Sequence, residues 1–195
     1  CAASGDAVPS EVLAPVVEER AVFFDSGALP DDVVDYLAQY RVVFLGEAHY
    51  VKEHDELLIQ TVEALQSRGF RVLLLECYHA YDWMIEEYVM GRRDELPGYL
   101  DAFYGTILQA VRELNMGLPD AEQVHVHAVD IDHGMSTFAE SLRALTSALD
   151  DPSFAEEVEG ALENYNRLNF TTRKRRIDAL IETVETGRAE YEVRW

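Results

Sequence analysis

Arg71-Val-Leu-Leu-Leu-Glu76 is a run of four apolar residues that ends in a carboxylate. An unbroken apolar run of this length is typical of a strand buried on both faces of a parallel sheet. Two more stretches are predicted strands: Arg41–Gly46, which has a run of four apolar residues that ends in glycine, and Val124–Asp130, which ends in a carboxylate. Apolar residues recur at helical spacing over residues 54–68, 80–90 and 107–114. The resulting order β-α-β-α-α-β-α predicts an α/β fold, with a parallel sheet flanked by helices.

The chain divides into three parts by composition. Residues 1–20 are small and polar and are predicted to be a flexible tether. Residues 21–150 hold the predicted strands and form the α/β catalytic core. Residues 151–195 are entirely helical in pattern and are interpreted as a lid or an insertion. A three-stranded sheet is small and no cap closes the chain at Trp195, so we expect the core to be the N-terminal part of a larger domain.

The charge of the chain narrows the choice of partners. Sixteen basic residues stand against 37 acidic ones, for a net charge of −21. So acidic a surface argues against binding of nucleic acid or of anionic lipid through general electrostatics. No apolar run is long enough to cross a bilayer, and two cysteines do not make a disulfide framework.

The first residue suggests a location. The chain begins at Cys1 and continues with small and polar residues, as a bacterial lipoprotein does after its signal peptide is removed. The alternative is that the sequence begins at a cysteine by accident. The first interpretation predicts a protein of the bacterial cell envelope that meets the membrane only through a lipid on Cys1.

Acidic residues and histidines follow all three predicted strands. They are Glu47, His49, Glu53 and His54 after the first strand, Glu76 and His79 after the second, and Asp130, Asp132 and His133 after the third. Ligands of open α/β sheets bind beyond the carboxyl ends of the strands. The pattern therefore predicts one active site in which these residues meet.

Three of these residues suit acid–base chemistry. Glu47 and His49 are two positions apart, so in extended backbone their side chains point the same way. A carboxylate beside an imidazole orients it and raises its basicity, as a general base requires. Glu76 ends an apolar run and is expected to be partly desolvated, which suits an acid/base role.

Structural interpretations compete with these roles. Glu47 or Glu76 could cap a helix, His79 could simply begin one, and His54 could be a solvated first-turn residue. His125 and His127 share one face at the entrance of their strand and are interpreted as structural or exposed. The remaining cases are Asp132 and His133 as turn residues and Cys77 as a small buried hydrophobe.

The order of these motifs resembles the erythromycin esterase family. The likeness rests on Val42-Val-Phe-Leu-Gly-Glu-Ala-His49 followed by a helix, on Gly69-Phe-Arg-Val-Leu-Leu-Leu-Glu76, and on Val126-His-Ala-Val-Asp130. The resemblance covers about residues 33–150. It implies hydrolysis of a small-molecule ester or lactone without a cofactor, with His49 activating water, Glu47 orienting it, Glu76 as a second carboxylate and Asp130 lining the cleft.

The chain departs from that family in two ways. Its Gly-Glu-Ala-His-Tyr is one residue shorter than the family's form, which affects the placement of His49. A further histidine and an arginine that the family carries in its second half have no counterpart in residues 151–195.

Two other functions stay open. Haem-binding iron-uptake lipoproteins of the same superfamily share Gly-Glu-x-His followed by a second histidine, here His49 and His54, and Tyr50 could ligate haem iron. A metal-dependent hydrolase is the other alternative, because nitrogen and oxygen ligands for a divalent ion could come from Glu47, His49, Glu76, Asp130 and His133.

Overall fold

A computed structural model describes residues 11, 14, 15, 18, 19, 28–46, 51–131, 135–149 and 151–187. Glu47, His49, Tyr50, Asp132 and His133 lie outside the described residues, as does Cys1. The chain divides into two compact units, Cys1–Arg68 and Gly69–Trp195.

In the first unit, the continuously described residues form the helices α1 at Asp31–Leu37 and α2 at Lys52–Gln66. Arg68, just after α2, pairs with Asp35 of α1 at 2.5 Å. Within the predicted tether, the five described residues between 11 and 19 are helical and exposed.

The strand predicted over Arg41–Gly46 is wrong for its described residues. Residues 42–46 have no regular secondary structure, and Phe44 is 91% exposed. Valine, phenylalanine and leucine favour a strand only where a neighbouring strand pairs with the backbone, because strand propensity mostly measures packing on a sheet. An apolar run without such pairing does not form a strand.

The second unit is built on two parallel strands, β1 at Val72–Tyr78 and β2 at His125–Asp130. The register pairs Val72 with His125 and Leu75 with Ala128, and an irregularity then brings Tyr78 opposite Asp130. The fold is α/β, as the sequence predicts. The carboxyl ends of both strands therefore meet at one edge of the sheet.

Burial alternates along both strands. The prediction that the strands are buried on both faces is therefore wrong. Leu75, Cys77, Val126 and Ala128 are buried. The opposite face leaves Leu74 and other apolar residues more than half exposed. Alternate side chains of a strand point to opposite faces, so a run that is apolar throughout covers one core and one exposed surface.

In the described part of the second unit there are five helices, of which two lie between β1 and β2 in the chain and three follow β2. They are α3 at Asp82–Val89, α4 at Gly98–Met116, α5 at Met135–Leu149, α6 at Pro152–Leu162 and α7 at Phe170–Thr186. A 3-10 turn at His79–Tyr81 joins β1 to α3.

The sequence patterns Thr137-Phe-Ala-Glu140 and Ser153-Phe-Ala-Glu156 have the form of a capping box, in which the first residue caps a helix. Neither position is the cap, because α5 begins at Met135 and α6 is capped by Asp151, which accepts hydrogen bonds from the backbone N–H groups of Ser153 and Phe154. Helix α4 begins at Gly98, directly after Pro97, whose fixed φ suits a helix start.

Asn115, near the end of α4, fastens that helix to its neighbours. The residue is 2% exposed. Its amide nitrogen donates to the carbonyl of Val89 at 3.2 Å and to that of Val124 at 2.9 Å, and its Oδ1 accepts from the N–H of Val124 at 2.8 Å. One side chain thus satisfies backbone groups at the end of α3 and just before β2.

The last three helices share a core of their own. Its buried residues are Ala139, Phe154, Val158, Ala161, Leu162, Tyr165 and Leu180. Phe138 and Leu142 of α5 are partly buried and pack against this cluster.

The basic run at 173–176 lies at the start of α7. Lys174 pairs with a carboxylate, that of Asp178. Arg176 instead donates to three backbone carbonyls at the end of α6, those of Gly160, Ala161 and Glu163, at 3.2, 3.2 and 2.8 Å. A cation at the C-terminal end of a helix satisfies free carbonyls and complements the helix dipole.

We expect Arg176→Met to lower the free energy of unfolding by about 1–2 kcal/mol, because it keeps the aliphatic stem and removes the charged donors. Urea unfolding followed by circular dichroism measures the change. The matched control is Arg175→Met, an exposed residue of the same run, which should cost less than about 0.5 kcal/mol. Equal losses in the two variants would contradict the capping role.

Candidate functional site

An open groove of about 900 Å³ lies where β2 ends, between the turn that follows β1 and helix α5. Its apolar wall is formed mainly by Trp83, Val129, Ile131, Phe138, Leu142 and Leu145. Its titratable side chains are those of His79, Asp82, His127 and Asp130. The volume falls within the range of small-molecule sites, and apolar walls with a few polar groups are typical of them.

Two hydrogen bonds join helix α5, which supplies part of the apolar wall, to the segment that follows β1. The Tyr81 hydroxyl donates to Glu140 of α5 at 2.5 Å. The Trp83 indole N–H donates to the hydroxyl of Ser141, also on α5, at 2.8 Å. Since Tyr81 is buried and Trp83 is partly buried, these contacts fasten α5 to the segment that follows β1.

Helix α3 covers the outer edge of β2 with two carboxylates one turn apart. Asp82 accepts from the N–H of Ala128 at 2.8 Å, and Glu86 accepts from the N–H of Val126 at 3.3 Å. An edge strand otherwise presents unpaired N–H groups. The carboxylates therefore take the place of a neighbouring strand.

The same carboxylates each hold a histidine of β2. Nδ1 of His127 lies 3.2 Å from Oδ1 of Asp82, and Nδ1 of His125 lies 2.7 Å from Oε1 of Glu86. Residues four apart on a helix are about 6 Å apart along its axis, and residues two apart on a strand are about 6.6 Å apart. The two spacings match, so helix and strand form two acid–histidine pairs side by side.

Only one of these pairs reaches the groove. His127 and Asp82 both line it, whereas His125 and Glu86 do not. With Nδ1 held by Asp82, the Nε2 of His127 is the nitrogen left to act on a ligand. The interpretation of His127 as structural or exposed does not include its place in the groove beside Asp82, which lies 45 residues away in sequence.

His79 presents a second imidazole to the groove. Its Nδ1 lies 3.0 Å from the carbonyl oxygen of Ala128. A carbonyl only accepts, so Nδ1 carries a proton and Nε2 remains for a ligand. Asp130 also lines the groove, and its Oδ1 accepts a hydrogen bond from the N–H of Ile131 at 2.7 Å.

The predicted site residues are distributed as follows. His79 and Asp130 come together in the groove, as the strand-end argument predicts. Glu76 is exposed rather than partly desolvated, because it belongs to the open face of β1, and it is not part of the groove lining. Glu53 and His54 lie in the first turn of α2, in the other unit.

Cys77 lies on the buried face of β1 and is 1% exposed. Burial raises the pKa of its thiol to about 12, although a hydrogen bond to the backbone of Tyr78 acts in the opposite direction and the charge of Asp130 adds to the increase. The thiol therefore stays protonated at neutral pH, and its interpretation as a small hydrophobe agrees with its position.

In a Cys1→Ser variant, which leaves Cys77 as the sole thiol, we expect a disulfide reagent at pH 8 to react at least about 100-fold more slowly with folded than with unfolded protein. The unfolded chain releases this proton near pH 9, so the stability that the neutral thiol contributes is intact below pH 9 and is lost as the pH rises towards 12. Equal reaction rates for the folded and unfolded protein would show that the thiol is accessible.

In the described part of the chain, no three side chains among histidine, cysteine, aspartate and glutamate are arranged to hold a metal ion. Three ligands of the metal hypothesis, Glu47, His49 and His133, lie outside those residues, so that hypothesis stays a prediction. Within the same residues, no helix has the length and apolarity to cross a bilayer.

No protein-family model matches the chain, and no curated protein or solved structure is significantly similar to it. The resemblance to the erythromycin esterase family therefore stays a prediction from the motifs quoted above.

Proposed function

We propose that this chain is an esterase-like hydrolase that binds an apolar ester in the groove and cleaves it with water activated by His127. The observation that carries the proposal is the His127–Asp82 pair on the wall of an apolar groove. The resemblance to the erythromycin esterase family supports the same class of reaction.

The roles of the groove residues follow from their hydrogen bonds. Asp82 accepts a hydrogen bond from the Nδ1–H group of His127 and holds the ring, which leaves Nε2 to remove a proton from water as it attacks the ester carbonyl. The Asp82 carboxylate stabilises the imidazolium that forms. The proton that Nε2 of His127 takes from water is then passed to the leaving oxygen as the ester C–O bond breaks. Nε2 of His79, whose Nδ1–H donates to the carbonyl of Ala128, is a second acceptor that can hold the attacking water.

The apolar wall has a different task. Trp83, Phe138 and Leu142 would hold the hydrocarbon part of the ester and exclude water from that side. Because Phe138 and Leu142 also pack on the core of the last three helices, those helices support the substrate wall.

The first experiment measures hydrolysis of p-nitrophenyl esters of increasing chain length by wild type and His127→Asn. We expect kcat/KM of His127→Asn to fall by about 100-fold or more, as removal of a general base does. The matched control is His125→Asn. It removes the neighbouring acid–histidine pair, which does not line the groove, and should keep activity within about threefold. Equal losses, or none, would refute the assignment of His127.

His49, the base that the family resemblance implies, is tested in the same assay as His49→Ala, with and without EDTA. Loss of turnover in His49→Ala together with full activity in His127→Asn would place the chemistry at the motif Gly46–His49 instead. Loss of wild-type activity with EDTA would favour the metal-dependent hydrolase. Absence of turnover with every ester would reject the hydrolase, and titration with haemin for a Soret band would then test the haem alternative.

A further inference from the structure

The groove combines a large apolar wall with an uneven distribution of charge. Among the described residues, its lining contains the carboxylates of Asp82 and Asp130 and no lysine or arginine. Arg93, whose guanidinium carbon lies 5.1 Å from the centre of the Trp83 ring, has the carboxylate of Glu87 within 3.8 Å. A cleft lined by charges of one sign attracts ligands of the opposite sign, and the net charge of −21 acts in the same direction.

We infer that the groove takes an apolar chain that carries a cationic group, so that the favoured substrates are esters with an ammonium group. The inference rests on the proposed function and names its substrate class. The hydrocarbon part packs on the apolar wall, and the ammonium group is attracted by Asp130 and Asp82. A carboxylate on the same chain is repelled, which also favours release of an acid product.

Binding can be followed with the protein's own fluorescence. The chain has two tryptophans, Trp83 in the groove and Trp195, so Trp195→Phe leaves Trp83 as the single reporter. Octylammonium, octanol and octanoate share one chain and differ in charge. We expect octylammonium to bind at least about tenfold more tightly than octanoate at low ionic strength, with octanol between them, and the difference to shrink in salt.

Two further variants assign the preference to the groove. Asp130→Asn keeps the oxygen that accepts from the N–H of Ile131 and removes one charge, so the ratio of the octylammonium and octanoate affinities should fall about threefold or more. Asp101→Asn, an exposed residue of α4 outside the groove lining, removes the same charge and should leave the ratio unchanged.

The outcomes separate this inference from the proposed function. Octanoate binding as tightly as octylammonium, or no response of Trp83 to any of the three, would overturn the inference. Hydrolysis of neutral esters that still depends on His127 would leave the hydrolase in place in either case. The predicted order of affinities without hydrolysis of any ester would support the inference and reject the hydrolase.

Discussion

Asn115→Ala should lower the free energy of unfolding by about 3–5 kcal/mol, because it leaves three buried backbone groups without partners. These groups are the carbonyl of Val89 and both the N–H and the carbonyl of Val124. The site is 2% exposed, so water cannot replace the lost hydrogen bonds without opening the structure. Chemical unfolding monitored by circular dichroism gives the value, or shows that the variant does not fold.

Two variants keep this prediction testable. Met116→Ala, one position along the same helix and 78% exposed, should change stability by less than about 0.5 kcal/mol. Asn115→Asp keeps the acceptor for the N–H of Val124 but sets a buried carboxylate against the carbonyl oxygens of Val89 and Val124, so its loss at neutral pH should be at least as large as that of Asn115→Ala. An Asn115→Ala variant as stable as Met116→Ala would show that the connection is not needed.

Asp82→Asn should reduce kcat of the proposed hydrolase by about 100-fold or more, because the charge that stabilises the His127 imidazolium is gone. The substitution keeps an oxygen that can accept from the N–H of Ala128, so the edge of β2 remains covered. Steady-state kinetics with the best ester from the panel, together with an unfolding curve, separates loss of catalysis from loss of fold.

Glu86→Gln is the matched control for that variant. Glu86 holds His125 and the N–H of Val126 in the way that Asp82 holds His127 and the N–H of Ala128, but it does not line the groove. We expect its kcat to stay within about threefold of wild type. Similar losses in Asp82→Asn and Glu86→Gln would indicate that the carboxylates only fasten α3 to β2.

The predictable parts of the fold are those that a local pattern encodes. The apolar run before Glu76 and the segment Val126–Asp130 are strands of one parallel sheet, because each carries enough apolar residues to cover a core. The strand expected at Arg41–Gly46 has the same composition and does not form, since composition does not supply a paired neighbour.

The candidate site was partly predictable for the same reason. Topology alone brings His79 and Asp130 to the carboxyl ends of the strands, and both line the groove. His127 could have been found only from a matched spacing, two acids four apart on a helix opposite two histidines two apart on a strand. Asp82-x-x-x-Glu86 and His125-x-His127 are that signal.

The sequence by itself determined the α/β class, the two strands that pair and the end of the sheet where titratable side chains gather. The tertiary structure decided which acid meets which histidine and which helix closes the groove. The contacts that do so join residues far apart in the chain, 45 positions for Asp82 and His127 and 58 for Trp83 and Ser141. The periodicity of apolar residues in the sequence indicates which face of a helix or strand is buried. Which side chains that face contacts depends on how all the elements of the unit pack together.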